Sequence, residues 1–228
     1  MPAPGARQLT LDLPHAESFH RDDFLPDPSN EAALALVDAW PSWPDRFAAI
    51  VGPAGSGKSH LAAIWAERSG ARVVDAASLT VEEVPLALAT GALVLEDLSP
   101  ARVDETALFH LLNLVRQEGA YLLITAAKRL DLENYTLADL ASRLRAVPAI
   151  SLALPGDALL AAVLLKHFAD RQLMVDEDTV SYLLSRIERS LDAAREAARR
   201  LDQASLSRGR RITRALAAEL FRAGEPRP

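Results

Sequence analysis

Residues 47–59 read Phe47-Ala48-Ala49-Ile50-Val51 and then Gly52-Pro53-Ala54-Gly55-Ser56-Gly57-Lys58-Ser59. Five apolar residues in succession suit a strand buried on both faces, and the glycines end it. Past Ser59, the spacing of Leu61, Ala62, Ile64 and Trp65 is helical. Strand, glycine loop and helix in that order give the pattern G-x-x-x-x-G-K-S its mechanical meaning. Backbone N–H groups of such a loop turn inward around a β-phosphate, and the helix N-terminus adds its dipole. Lys58 then reaches the β- and γ-phosphates, and the Ser59 hydroxyl is a magnesium ligand. At average glycine usage the pattern arises by chance in about one chain of this length per hundred. Pro53, Ala54, Gly55, Ser56, Gly57, Lys58, Ser59 and His60 are the candidate nucleotide contacts.

Outward from this loop, further short apolar runs appear at 73–74, 93–95, 121–124 and 150–152, separated by helical stretches, notably 104–118. Continuous rather than alternating apolar strands, spaced by helices, predict a mostly parallel sheet covered on both faces. Before the first strand, Ser29 is expected to cap a helix running to about Trp40, stopped by Pro41 and Pro44. After Pro155 the pattern is wholly helical: 157–172, 176–188, 190–205 and 213–222 each begin near a capping residue. The expectation is an α/β core followed by a small helical lobe, with the boundary near Pro155-Gly156.

A second acidic site should end another buried strand, and Ala92-Leu93-Val94-Leu95-Glu96-Asp97 has that form. In phosphate-loop NTPases such a strand presents one carboxylate to magnesium and often a second to the attacking water. Glu96 is the candidate metal ligand beside Ser59, and Asp97 the candidate catalytic carboxylate.

Composition narrows the classes. The 228 residues hold 25 Lys+Arg against 31 Asp+Glu, a net charge of −6, so a binder that works mainly by neutralising phosphates is not expected. The absence of cysteine excludes disulfides, thiolate metal sites and a cysteine nucleophile. The five histidines show no paired ligand spacing. The first twenty residues lack the apolar run of a signal peptide, and the longest apolar stretch, 158–165, is too short to span a bilayer. A cytoplasmic protein is expected. Trp40 and Trp43 read as core packing, and Arg208-Gly209-Arg210-Arg211 with Arg214 as a solvated basic turn.

The phosphate loop, the acidic strand, a strand ending in Thr125, an arginine in Leu140-Ala141-Ser142-Arg143-Leu144 and a four-helix lid together resemble the AAA+ ATPases. More closely, the set is similar to the ATPase module of the bacterial initiator DnaA. Phe24-Leu25-Pro26-Asp27-Pro28-Ser29-Asn30 resembles that family's adenine-side segment, which implies nucleotide contacts at Leu25 and Asn30. Ser142-Arg143-Leu144 resembles its arginine-finger element, which implies a finger at Arg143 acting in trans, and Thr125 takes the place of the polar sensor. DnaA continues into a helix-turn-helix domain, whereas only 223–228 follow here.

The leader carries Gln8-Leu9-Thr10-Leu11-Asp12-Leu13, which resembles the clamp-binding motif of the Hda family, regulatory inactivators of DnaA. A glutamine hydrogen-bonds at a groove's edge while leucines fill an apolar pocket, so Gln8, Leu9, Leu11 and Leu13 are the candidate clamp contacts. Leu201-Asp202-Gln203-Ala204-Ser205-Leu206 is similar to the Hda lid. Two departures stand out. Glu96 is one methylene longer than the usual Asp, and the lid arginine that contacts phosphate falls at Asp192.

The resemblance implies an α/β AAA+ P-loop parallel-sheet core with a small C-terminal all-helical lid. Its expected divisions are a leader at 1–25, the core at 26–155, the lid at 156–223 and a tail at 224–228. The cofactors it implies are ADP or ATP with Mg2+, with weak intrinsic ATPase. Its partners are DnaA and the DNA polymerase sliding clamp, with little direct DNA binding, no membrane, and room for a homo-oligomer. The implied role is a negative regulator of replication initiation that stimulates hydrolysis of DnaA-bound ATP. The alternative is a helicase- or DNA-loader ATPase similar to DnaC or IstB.

Overall fold

The computed structural model describes residues 20–221. Its elements alternate as the apolar runs require. Helix α1 (Glu31–Asp38) precedes strand β1 (Phe47–Val51), α2 (Lys58–Ser69), β2 (Arg72–Asp75), α3 (Val84–Ala87) and β3 (Ala92–Leu98). Then come α4 (Glu105–Glu118), β4 (Tyr121–Ala126), α5 (Ala138–Arg145) and β5 (Ala149–Ser151). Four more helices follow: α6 (Asp157–Asp170), α7 (Glu177–Leu184), α8 (Leu191–Arg208) and α9 (Arg214–Leu220).

The five strands form one parallel sheet in the order β2-β3-β4-β1-β5. β1 lies between β4 and β5, with Phe47 opposite Leu122 and Ile50 opposite Thr125. A strand there is wet on neither face, and all five residues of β1 are buried. The period of two assigns them to different layers. Phe47, Ala49 and Val51 join a core completed by Leu108, Leu111, Leu112 and Val115 of α4 and by Leu140 and Leu144 of α5. Ala48 and Ile50 join the opposite core, with Leu34 and Val37 of α1 and Leu61 and Trp65 of α2. Each fully buried large apolar side chain contributes about 1.5–3 kcal/mol.

The second core also takes up the tryptophans. Trp43 stacks on Trp65 at 5.2 Å, Trp40 meets the same ring edge-on at 6.3 Å, and the Trp43 indole N–H donates to Leu36 O at 2.7 Å. Both pack against the core, as read from the sequence.

The start of α1 differs from the expectation. Its N-cap is Asn30, not Ser29, and the helix ends at Asp38. Ser29 is otherwise engaged: its hydroxyl and its N–H both donate to the Asp27 carboxylate, at 2.6 and 2.9 Å. Helices α3 and α5 are additions to the predicted set. α5 gets its start from another element, because Glu105 of α4 accepts from the N–H groups of Thr136 and Leu137, each at 2.9 Å.

The chain divides into two compact units, at 159/160. The second has its own core. Leu160, Leu164 and Phe168 recur every four residues along α6; Val180 and Leu183 of α7, Ala194, Ala198 and Leu201 of α8, and Leu216 of α9 meet them. Three of its helices start on capping side chains, Asp176, Ser190 and Thr213, each accepting from a backbone N–H within the following turn. Such caps contribute about 1 kcal/mol each. No described helix is long and apolar enough to cross a membrane.

Candidate functional site

The glycine loop joins the end of β1 to the start of α2. Gly52 is tied to β4 by its N–H, which donates to Ala126 O at 3.0 Å. A Cβ at this position would meet Leu152 O at 2.7 Å, so no larger residue fits. Gly57 caps α2 with φ 101°, a left-handed conformation that glycine adopts without strain. The first intrahelical bond of α2 is Leu61 N–H to Gly57 O at 3.1 Å, so the amides of the first turn lie ahead of the helical ladder. Lys58 is buried, and its Nζ donates to Gly52 O at 2.8 Å and Pro53 O at 2.9 Å, folded across the mouth of the loop. Ser56 is 4% exposed, and its Oγ is buried without a hydrogen-bond partner. An orphan hydroxyl, a buried ammonium and a positive helix end converging on one loop fit a phosphate group.

Magnesium takes few protein ligands beside waters and phosphate oxygens. Ser59, exposed in the first turn of α2, and Glu96, half-buried at the end of β3, are donors of that kind. No group of three or more His, Asp or Glu side chains suited to a metal occurs among the described residues.

The acidic strand end carries a feature that the sequence pattern did not reveal. β3 and β4 pair Leu95 with Ile124 and then Leu98 with Ala126, so Glu96 and Asp97 stand opposite Thr125 alone. This is a bulge, which re-aims side chains at a strand end. Asp97 sits at φ 53°, and its N–H donates to Thr125 Oγ1 at 3.0 Å. Thr125 itself is fully buried. The expected sensor thus bonds the backbone beside the expected catalytic carboxylate.

The adenine-side candidates are linked to each other. Asn30, 4% exposed, donates from Nδ2 to Leu25 O at 3.1 Å and accepts from Asp27 N–H at 2.9 Å, closing the 25–30 turn. The His60 ring meets Phe24 edge-on at 5.2 Å, and His60 Nε2 lies 3.3 Å from His20 O. This brings the segment ahead of α1 to the first turn of α2.

Arg143 occupies the last turn of α5, on a different pair of helices. Its guanidinium donates to Asp139 Oδ2, at 3.2 Å from Nε with Nη2 at 3.0 Å, and to Asn113 Oδ1 of α4. It also lies 4.8 Å over the Phe109 ring. Two α4 residues that the sequence reading passed over complete the holder. Phe109 and Asn113 share a helix face at i, i+4, a signal visible in the sequence, but their facing α5 was not.

In the second unit, Asp192 stands in the first turn of α8 and accepts from Arg195 at 3.2 Å. A carboxylate there suits the helix dipole. Gln8, Leu9, Leu11 and Leu13 lie outside the described residues.

Residues 157–219 match the protein family described as Hda, lid domain. Domain III of the replication initiation protein DnaA from Thermotoga maritima superimposes with a TM-score of 0.72 and 18% identity, over 89% of this chain and 95% of that one. The helical unit thus carries an Hda-type lid, behind a core with the fold of DnaA domain III. The Holliday-junction branch-migration motor RuvB from Thermotoga maritima has the same TM-score, 0.72, at 16% identity, over 89% of this chain and 70% of its own. AMPPCP-bound DnaA from Aquifex aeolicus matches at 0.65 and 16% identity, over 82% of this chain and 66% of its own. The chain therefore spans about two thirds of these longer proteins. Identities this low show the fold, an α/β AAA+ core with a C-terminal all-helical lid. Curated protein sequences give no match.

Proposed function

We propose that this protein is a cytoplasmic regulator of replication initiation that binds adenine nucleotide in the 52–59 loop and promotes hydrolysis of ATP held by DnaA. The observation that carries the reading is the Hda lid match over 157–219, on a chain whose core holds a complete phosphate loop. The nucleotide, ADP or ATP with Mg2+, would supply phosphate charge to the loop. Lys58 would exchange its two carbonyl acceptors for phosphate oxygens. The orphan Ser56 hydroxyl would gain a partner, and the α2 amides would meet negative charge at the positive helix end. Ser59 and Glu96 would hold the metal. Leu25, Asn30 and His60 shape the base side.

The chain's own turnover is slow in this reading. Asp192 puts a negative charge where related lids carry an arginine, and the Glu96–Asp97 bulge sets carboxylates of unusual length and aim. Arg143 serves a partner instead. Its guanidinium, exchanged from Asp139 and Asn113 to the γ-phosphate of DnaA-bound ATP, would stabilise charge developing in the transition state, as arginine fingers do. Gln8, Leu9, Leu11 and Leu13 tether the protein to the sliding clamp, which restricts its action to replicating DNA. Self-association is compatible with this reading.

A reconstituted assay with DnaA-ATP, DNA-loaded clamp and this protein tests the proposal. Clamp-dependent stimulation of ATP hydrolysis is the expected result. Stimulation that is absent, together with an intrinsic turnover at or above about 1 per second, would instead mark a motor or loader ATPase.

A further inference from the structure

We propose that the α7–α9 edge of the helical unit is a binding surface for a nucleic-acid phosphodiester backbone. Arg186, just past the end of α7, lies 5.4 Å from the centre of the Tyr182 ring, and Arg214, the first residue of α9, lies 5.8 Å from the same ring. Among the described residues neither guanidinium has a carboxylate partner, and exposed Arg211 nearby in sequence has none either. Arg208 and Arg210 share a single carboxylate, Glu219. The other acids of α7, Glu177 and Asp178, occupy its first turn, at the far end from Arg186.

Elsewhere, Arg21, Arg102, Arg129 and Arg199 each sit on a carboxylate of their own, and Arg46 and Arg72 donate to backbone carbonyls. At this edge, Arg186 and Arg214 share one ring and Arg208 and Arg210 share one carboxylate, an arrangement that raises mutual repulsion until an anion arrives. The guanidiniums come from just past the end of α7, the end of α8, the 209–213 connection and the start of α9. One pair lies at the Tyr182 ring and another at Glu219, two places rather than one, which suits an extended polyanion rather than one small phosphate. A protein partner would call for an apolar patch with charge at its rim. Here the aromatic ring is itself covered by guanidinium groups. The net charge of −6, from which little direct DNA contact is expected, belongs to the chain as a whole. An acidic molecule with one basic edge orients that edge toward a polyanion.

Titration of the full chain into a short labelled DNA duplex between about 50 and 200 mM salt tests this. The unmodified protein should bind, with log K falling linearly in log salt. Replacing Arg186, Arg211 and Arg214 together by Gln should flatten that slope by about 0.9 per lost phosphate contact. The triple Lys replacement, which keeps the charge, should retain the slope, and it also controls for folding. No binding at the low-salt limit, or an unchanged slope in the Gln variant, overturns the proposal. Equally tight binding of polyglutamate overturns it in favour of an acidic protein. Nucleotide affinity measured alongside should not move, so failure here leaves the DnaA reading standing.

Discussion

The backbone N–H of Asp97 donates to the hydroxyl of Thr125 at 3.0 Å, joining two strand ends across a bulge. Thr125 is fully buried, while Asp97 is exposed. Thr125→Val should therefore destabilise the protein by about 0.5–1.5 kcal/mol, the net worth of one hydrogen bond. Thr125→Ser should restore most of that loss. Thermal unfolding of both variants checks this; equal stability of the Val and Ser proteins would contradict it.

Lys58→Ala removes the one ammonium that the loop folds inward. ADP affinity should fall at least tenfold, about 1.4 kcal/mol, while adenosine, which lacks phosphates, should bind the variant and the parent alike. Calorimetry with both ligands decides it. If the parent does not prefer ADP to adenosine, the phosphate-loop assignment fails.

Glu105 gives the structure an acid-sensitive joint. Burial alone would raise its carboxyl, but the N–H groups of Thr136 and Leu137 and the Thr136 hydroxyl outweigh that and hold it below its ordinary value. A depressed folded value means stability that is fully present above about pH 4.3, the ordinary glutamate value. It is lost as the pH falls through the lower, folded one. Glu105→Gln should cost about 1.5 kcal/mol at neutral pH, with the gap to the parent closing in acid. Denaturant unfolding across pH measures it; a gap that stays constant into acid would rule the joint out.

Arg143→Ala should leave nucleotide affinity unchanged and cost about 1–2 kcal/mol of stability, because the exposed pair with Asp139 is worth little while the contacts to Asn113 and Phe109 are also lost. Stimulation of DnaA-bound ATP hydrolysis should drop by a factor of about 10³ or more. Retained stimulation would make Arg143 a helix-packing residue only.

Clamp binding should require the leader. Leu11→Ala with Leu13→Ala removes anchors worth about 1.5–3 kcal/mol each if fully buried, and pull-down with the clamp should lose the protein. Full binding by the double variant would end that assignment.

The amino-acid sequence alone determined the elements whose cause is local. The run Phe47–Val51 is apolar on both sides because the strand is buried on both faces, and the glycines and Lys58 follow it at a spacing set by phosphate geometry. The same holds for the caps at Asp104, Asp176, Ser190 and Thr213, whose acceptors reach only two or three residues ahead. Tertiary structure decided the rest. Nothing near Asp97 in sequence announces its left-handed backbone, since the hydroxyl that accepts its N–H stands 28 residues away and arrives through the register of β3 on β4. Thr136-Leu137-Ala138-Asp139 has the form of a capping box, but the carboxylate that takes the Thr136 hydroxyl and the Leu137 N–H is Glu105, on α4. The element Ser142-Arg143-Leu144 is legible in the sequence, but the partner that Arg143 now holds, Asn113, is 30 residues away. Periodicity and capping are properties of a few adjacent residues, whereas a hydrogen bond between distant ones exists only after the sheet has aligned them.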